Sequence, residues 1–186
     1  MVKKEDIDNN TIMITDDIPE GSRFDNYIKE FKKTGANKNG DAFELFLRQI
    51  FRDCFGFVFP KSIPRLAIKT RFIYNNHQYL AEERQADSDP KTIRKEIPKM
   101  ASTAFVVDNG VTATIHFNVE RLLTGNSASL VFNYVDTAIH ELNHIKNPRL
   151  SEQQIHDSGI PVIEGFLEIR LPDTFKNQKV SDYYFP

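Results

Sequence analysis

His140 and His144 stand four residues apart, with Glu141 directly after the first of them. On a helix that spacing projects both imidazoles from one face, where a single tetrahedral cation can take a nitrogen from each. Glu141 is then turned by about 100° from His140. That puts it beside the cation without making it the natural third ligand. A carboxylate so placed can hold a water against the metal and take its proton, which is the mechanical content of the H-E-x-x-H pattern. The chemistry to expect is metal-assisted hydrolysis, with Zn2+ as the cation.

A catalytic zinc site needs a third protein ligand. Glu164, twenty residues beyond His144, is the candidate, because it stands among Val162, Ile163, Phe166 and Leu167. An unpaired carboxylate is costly to bury in such a setting, and a metal removes that cost. Gly165 beside it weakens a helix by about 1 kcal/mol relative to alanine, which close approach of the metal helix would explain. His156, with Asp157 next to it, competes for the ligand role and is also a candidate oxyanion stabiliser.

These residues need two helices to position them. A long helix is expected from Ser127 or Ser129 to about Lys146, with Val131, Val135, Ala138, Leu142 and Ile145 as its core stripe and Asn147-Pro148 as its stop. After a polar turn, Pro161 fits the first turn of a final helix that ends near Arg170. Upstream, Asp108-Asn109-Gly110 supplies the positive φ angles of a tight hairpin between Ala104–Val107 and Val111–Val119. In its second strand Val111, Ala113, Ile115 and Phe117 should face the core, leaving His116 exposed. Two earlier helices are expected, at Ser22 to Lys33 and from Asp41, the second apolar nearly all round and holding Cys54 as a buried hydrophobe. Leu66 to Tyr74 reads as a strand, Thr11 to Thr15 as a short one, and Asn75 to Met100 as a polar excursion with at most one short helix.

The run His140 to His144, followed by Glu164 and Glu168, resembles the gluzincins, the thermolysin-like clan of zincin metallopeptidases. The likeness spans roughly residues 104 to 170. It implies a zincin-like α+β fold, in which a small mixed sheet packs on the active-site helix and the following helix carries the third ligand. It implies a zinc-dependent peptidase with His140, His144 and Glu164 on the metal and Glu141 as catalytic base. Glu168 would accept the second N–H of His140 and fix its tautomer. Thr112 to Asn118 would line the upper rim of the cleft, where an extended peptide substrate can add as a strand. Ile163 stands where thermolysin-type members carry Asn. The metzincin pattern is absent, since Asn147 and Leu150 occupy the places of its Gly and third His.

Composition sets the frame. The chain of 186 residues is 40% hydrophobic and 27% charged, with a net charge of -2. That fits a single domain over residues 21–171, a weakly structured segment 1–20 and a tail 172–186. No global basic field points to nucleic acid. With one cysteine there is no intrachain disulfide. No signal peptide or membrane span is visible, so a cytoplasmic protein is expected. The rival to a peptidase is a non-enzymatic binding or structural protein, such as a virus or mobile element could encode, that keeps the fold and the metal. The aromatic tail, with Tyr183 and Tyr184, could also lie in the cleft and hold an enzyme latent.

Overall fold

A computed structural model describes residues 2–8, 11–14, 18–34, 40–61, 64–87, 102–122 and 125–176. The tail aromatics Tyr183 and Tyr184 lie outside them. The elements run β1 (Val2–Asp8), β2 (Thr11–Ile14), α1 (Arg23–Thr34), α2 (Asp41–Val58), β3 (Ala67–Ile73), α3 (Asn76–Asp87), β4 (Ala104–Asp108), β5 (Thr112–Asn118), α4 (Val119–Leu122), α5 (Ser127–Lys146), α6 (Glu152–Leu167) and α7 (Asp173–Lys176). The class is α+β, as the residue pattern implies. β1 and β2 form an antiparallel ribbon, and a separate three-stranded sheet has the order β3-β5-β4. That sheet is mixed: β5 runs parallel to β3 and antiparallel to β4.

The sheet forms where the sequence alternates. Ala113, Ile115 and Phe117 are fully buried and join one core with α1, α2, α5 and α6. The Asn109 turn is tied by its own side chain, whose oxygen accepts from the backbone N–H of Val111 and Thr112. Gly110 there has φ 86°, which only glycine takes without strain. Val111 departs from the expected pattern: it belongs to the turn and is 74% exposed.

α5 is the spine of the molecule. Asn126 caps it by accepting from the Ser129 N–H, and its residues are buried on every side from Ser129 to His140. α1, α2 and α6 all pack on it. Tyr134 is wholly buried and donates its hydroxyl to the Leu47 carbonyl of α2. Phe117 of the sheet meets Tyr134 edge-on at 5.2 Å, which joins sheet to spine.

Three expectations require correction. The last long helix starts at Glu152, not at Pro161, because Ser151 and Gln154 form a complete capping box there. Pro161 sits in the helix interior instead. The carbonyl it leaves without an intrahelical partner is that of Asp157, on an exposed turn where water can take it. Second, Thr112–Asn118 is the central strand, hydrogen-bonded on both sides, so it cannot receive a peptide by strand addition. Third, Gly165 faces Phe57 of α2, whose ring would lie 3.5 Å from an added Cβ. The glycine facing the spine is Gly159, where an added Cβ would sit 3.7 Å from Asn143. Packing also runs past Leu171: Phe175 of α7 is buried and meets Phe132 edge-on.

Candidate metal centre

His140 and His144 occupy the last two turns of α5, and their Nε2 atoms face each other at 3.0 Å. The chain then turns through Asn147–Leu150 and enters α6. Glu152 is the first residue of that helix, and its two carboxylate oxygens reach both rings, 3.1 Å from His140 Nε2 and 3.2 Å from His144 Nε2. Among the described residues these three are the group of potential ligands that converges on one point.

The electrostatics of the group are cooperative. Burial pulls the His140 pKa down, but the hydrogen bond to Glu152 and the charges of Glu141, Glu152 and Asp136 outweigh it and hold the imidazole above its ordinary value. Burial pushes the Glu152 carboxyl up, while its bonds to both histidines and their charge hold it far below the usual carboxylate range. The N-terminus of α6 adds in the same direction, since unpaired backbone N–H groups favour a carboxylate in the first turn. His140 and His144 are nearly buried, whereas the Glu152 side chain is 48% exposed, so the cluster opens to solvent on the α6 side.

No protein-family model matches the chain, and no curated protein or solved structure matches it either.

Glu141 is half-buried, and its charge reaches His140. Asp136, one turn before His140 on the same helix, is 5% exposed, and it too acts on that ring. It is the buried carboxylate on the His140 face of α5, the place the resemblance gives to Glu168. Glu168 instead ends α6 in the left-handed conformation at φ 60°, and its carboxylate accepts the Arg23 backbone N–H at 2.7 Å. It ties α6 to α1, with the Arg23 guanidinium 4.6 Å above the Phe166 ring.

Glu164 is likewise employed elsewhere. Its carboxylate pairs with Lys176 at 2.8 Å and accepts the Leu171 N–H at 2.9 Å. Burial raises its pKa, and these contacts outweigh that and lower it. The structure does not bring Glu164 to the two histidines; Glu152 takes that position. His156 is buried, 6.0 Å from the Phe175 ring. That burial removes it from the surface a substrate's oxyanion could reach. His116 is not the exposed residue its strand position implies: it stacks on Phe105 at 4.5 Å.

Glu152 and Asp136 are the site residues that sequence reasoning passed over. A signal for Glu152 was present in Ser151-Glu152-Gln153-Gln154, a capping box that opens a helix four residues after the stop at Asn147-Pro148. Asp136 lies at helical spacing from His140, on the same face of α5.

Proposed function

We propose that the protein is a zinc-dependent peptidase in which His140, His144 and Glu152 hold the metal and Glu141 is the catalytic base. The observation that carries this reading is the convergence of donor atoms: the two Nε2 atoms lie 3.0 Å apart, Glu152 Oε2 lies 3.1 Å from His140 Nε2, and Glu152 Oε1 lies 3.2 Å from His144 Nε2. Ligands at zinc bond lengths on a tetrahedron lie about 3.3 Å apart, so the two imidazoles need to open by only a few tenths of an ångström, and the Glu152 carboxylate, now spread across both rings, needs to turn one oxygen toward the shared cation. Two imidazoles and one carboxylate also make a set that leaves a fourth position vacant, the mark of catalytic rather than structural zinc. The same His, His and Glu donors characterise the gluzincins. Here the Glu follows His144 by eight residues, at the start of the next helix.

Zinc bound there would supply Lewis acidity toward a peptide carbonyl and toward water. The chain's own residues supply the rest. Glu141 accepts a proton from the attacking water as its oxygen bonds to the carbonyl carbon. It returns that proton to the nitrogen as the C–N bond breaks. Asp136, buried one turn before His140, places negative charge beside that ring, which favours a cation held by it.

A second reading has one observation of its own. Glu152 bonds both histidines directly, so the trio can also act as a clamp between α5 and α6 in a non-enzymatic protein. Zinc content and cleavage of a fluorogenic peptide library separate the two. The peptidase reading requires about one zinc per chain and turnover that chelation abolishes and zinc restores. In Glu141→Gln, zinc should stay bound while turnover falls by at least about 100-fold. Zinc bound without turnover on any peptide would leave the binding protein, and no zinc at all would leave the clamp.

A further inference from the structure

One edge of the three-stranded sheet carries a site that the metal centre does not use. β3 pairs with β5 along one side and, among the described residues, with no strand along the other. Its residues alternate, with Ile68, Thr70 and Phe72 half-buried toward α2 and Ala67, Lys69 and Arg71 exposed. Between this edge and α2 runs an open groove of about 440 Å3, with Phe51, Phe55 and Ile68 as its floor and Arg48, Arg52 and Lys69 among its lining residues. No residue of α5 or α6 lines it.

The cations are arranged unequally. Arg48 is fixed: Glu44 takes two of its N–H groups at 3.1 and 2.6 Å, Thr70 takes a third at 2.9 Å, and the guanidinium stands 5.1 Å over the Phe72 ring. Arg52 and Lys69 are exposed, and among the described residues neither enters an ion pair. In a chain of net charge -2, a groove lined by three cations, one of them paired with Glu44, reverses the local sign of the surface.

We propose that this groove and the β3 edge dock an extended acidic peptide segment of a partner protein, which adds to the sheet as a strand beside β3. The unpaired backbone groups of an edge strand bind a peptide backbone without regard to sequence, and pockets for alternate side chains select among peptides. Here the selection is set by the site's chemistry. Apolar side chains of the incoming strand meet Phe55 and Ile68 on the α2 side, its carboxylates on the opposite face meet Lys69, and Arg52 on α2 adds to the positive field along the edge. An aromatic floor with basic walls could also suit a single-stranded nucleic acid. The β3 edge, free of a strand among the described residues, favours a peptide, because bases and phosphates cannot complete a strand's hydrogen-bond ladder. The proposal does not depend on the metal centre being active.

Fluorescence anisotropy tests it on the full chain carrying Glu141→Gln, so that the probe survives even if the chain is a peptidase. The probe is a labelled peptide of seven residues, the length of β3, alternating glutamate and valine. Saturable binding is expected, weakening as salt rises, and falling by at least about tenfold in Arg52→Glu/Lys69→Glu. Because both positions are exposed, the circular dichroism of that variant should match the parent. The same peptide with a central proline, which keeps its charge but cannot complete the ladder, should bind at least about fivefold more weakly. Three results would each overturn the proposal: no saturable binding, binding unchanged by the charge reversals or the proline, or tighter binding of an oligothymidine than of the acidic peptide.

Discussion

Glu152 lies 3.1 Å from Nε2 of His140 although the two residues are twelve apart in sequence and on different helices. The contact exists because α5 stops at Asn147 and α6 starts at once with a capping box at Ser151. The first carboxylate of one helix is thereby set against the last two turns of the other.

Exchanging the two carboxylates in question separates them. Glu152→Gln should weaken zinc binding by at least about 100-fold, since it removes a ligand rather than a supporting group. Glu164→Gln should leave zinc affinity within about twofold and cost about 1 kcal/mol of stability, because it removes the Lys176 ion pair and leaves a neutral acceptor for the Leu171 N–H. Zinc titration against a competing chelator, with chemical unfolding of the same samples, reads both. The reverse pattern would move the metal to Glu164.

The cap at Ser151 should influence both stability and metal. Ser151→Ala removes the acceptor for the Gln154 N–H, which should cost about 1 kcal/mol in urea unfolding. It also loosens the first turn that carries Glu152, so zinc affinity should drop by about two- to fivefold. A loss of stability with zinc affinity untouched would show that the cap does not position the ligand.

Stability should depend on pH through His116. Burial first, and the Arg71 charge second, lower its pKa from 6.5 to about 4, against the opposing pull of Glu82. The folded chain therefore keeps this ring neutral where the unfolded chain would protonate it. Its contribution is complete above pH 6.5 and is lost as pH falls from 6.5 toward about 4. With allowance for solvent screening the loss is on the order of 2 kcal/mol. His116→Phe keeps a ring against Phe105 and cannot titrate. Its stability relative to the parent should thus rise as pH drops through that window, and parallel pH profiles would contradict the assignment.

Much of this fold was legible because local signals agreed. The Asn109-Gly110 turn, the alternation from Ala113 to Phe117 and the stripe along α5 each describe one element without reference to the rest of the chain. The end of α5 at Asn147-Pro148 and the histidine pair belong to the same class. What misled was proline. Pro161 reads as a helix start by its own preference, yet the capping box at Ser151 and the burial of Ile155, Ile160 and Ile163 on one face carry the helix through it. That shift changes the candidate for the third ligand. With a helix start at Pro161, Glu164 was the carboxylate within reach; with a start at Glu152, the first turn delivers its own. Strand order was not legible either, since nothing in Thr112–Asn118 shows that β3 lies parallel on its far side. The partners of Glu164 and Glu168 are Lys176 and Arg23, remote in sequence, which spacing alone does not reveal.

The most direct test of the metal centre is anomalous-difference density collected at the zinc edge from crystals of the zinc-loaded chain. The account predicts one strong peak within bonding distance of Nε2 of His140, Nε2 of His144 and a carboxylate oxygen of Glu152, with Glu164 still paired to Lys176. A peak coordinated by Glu164 in place of Glu152, or no peak at the histidine pair in a zinc-loaded crystal, would contradict it.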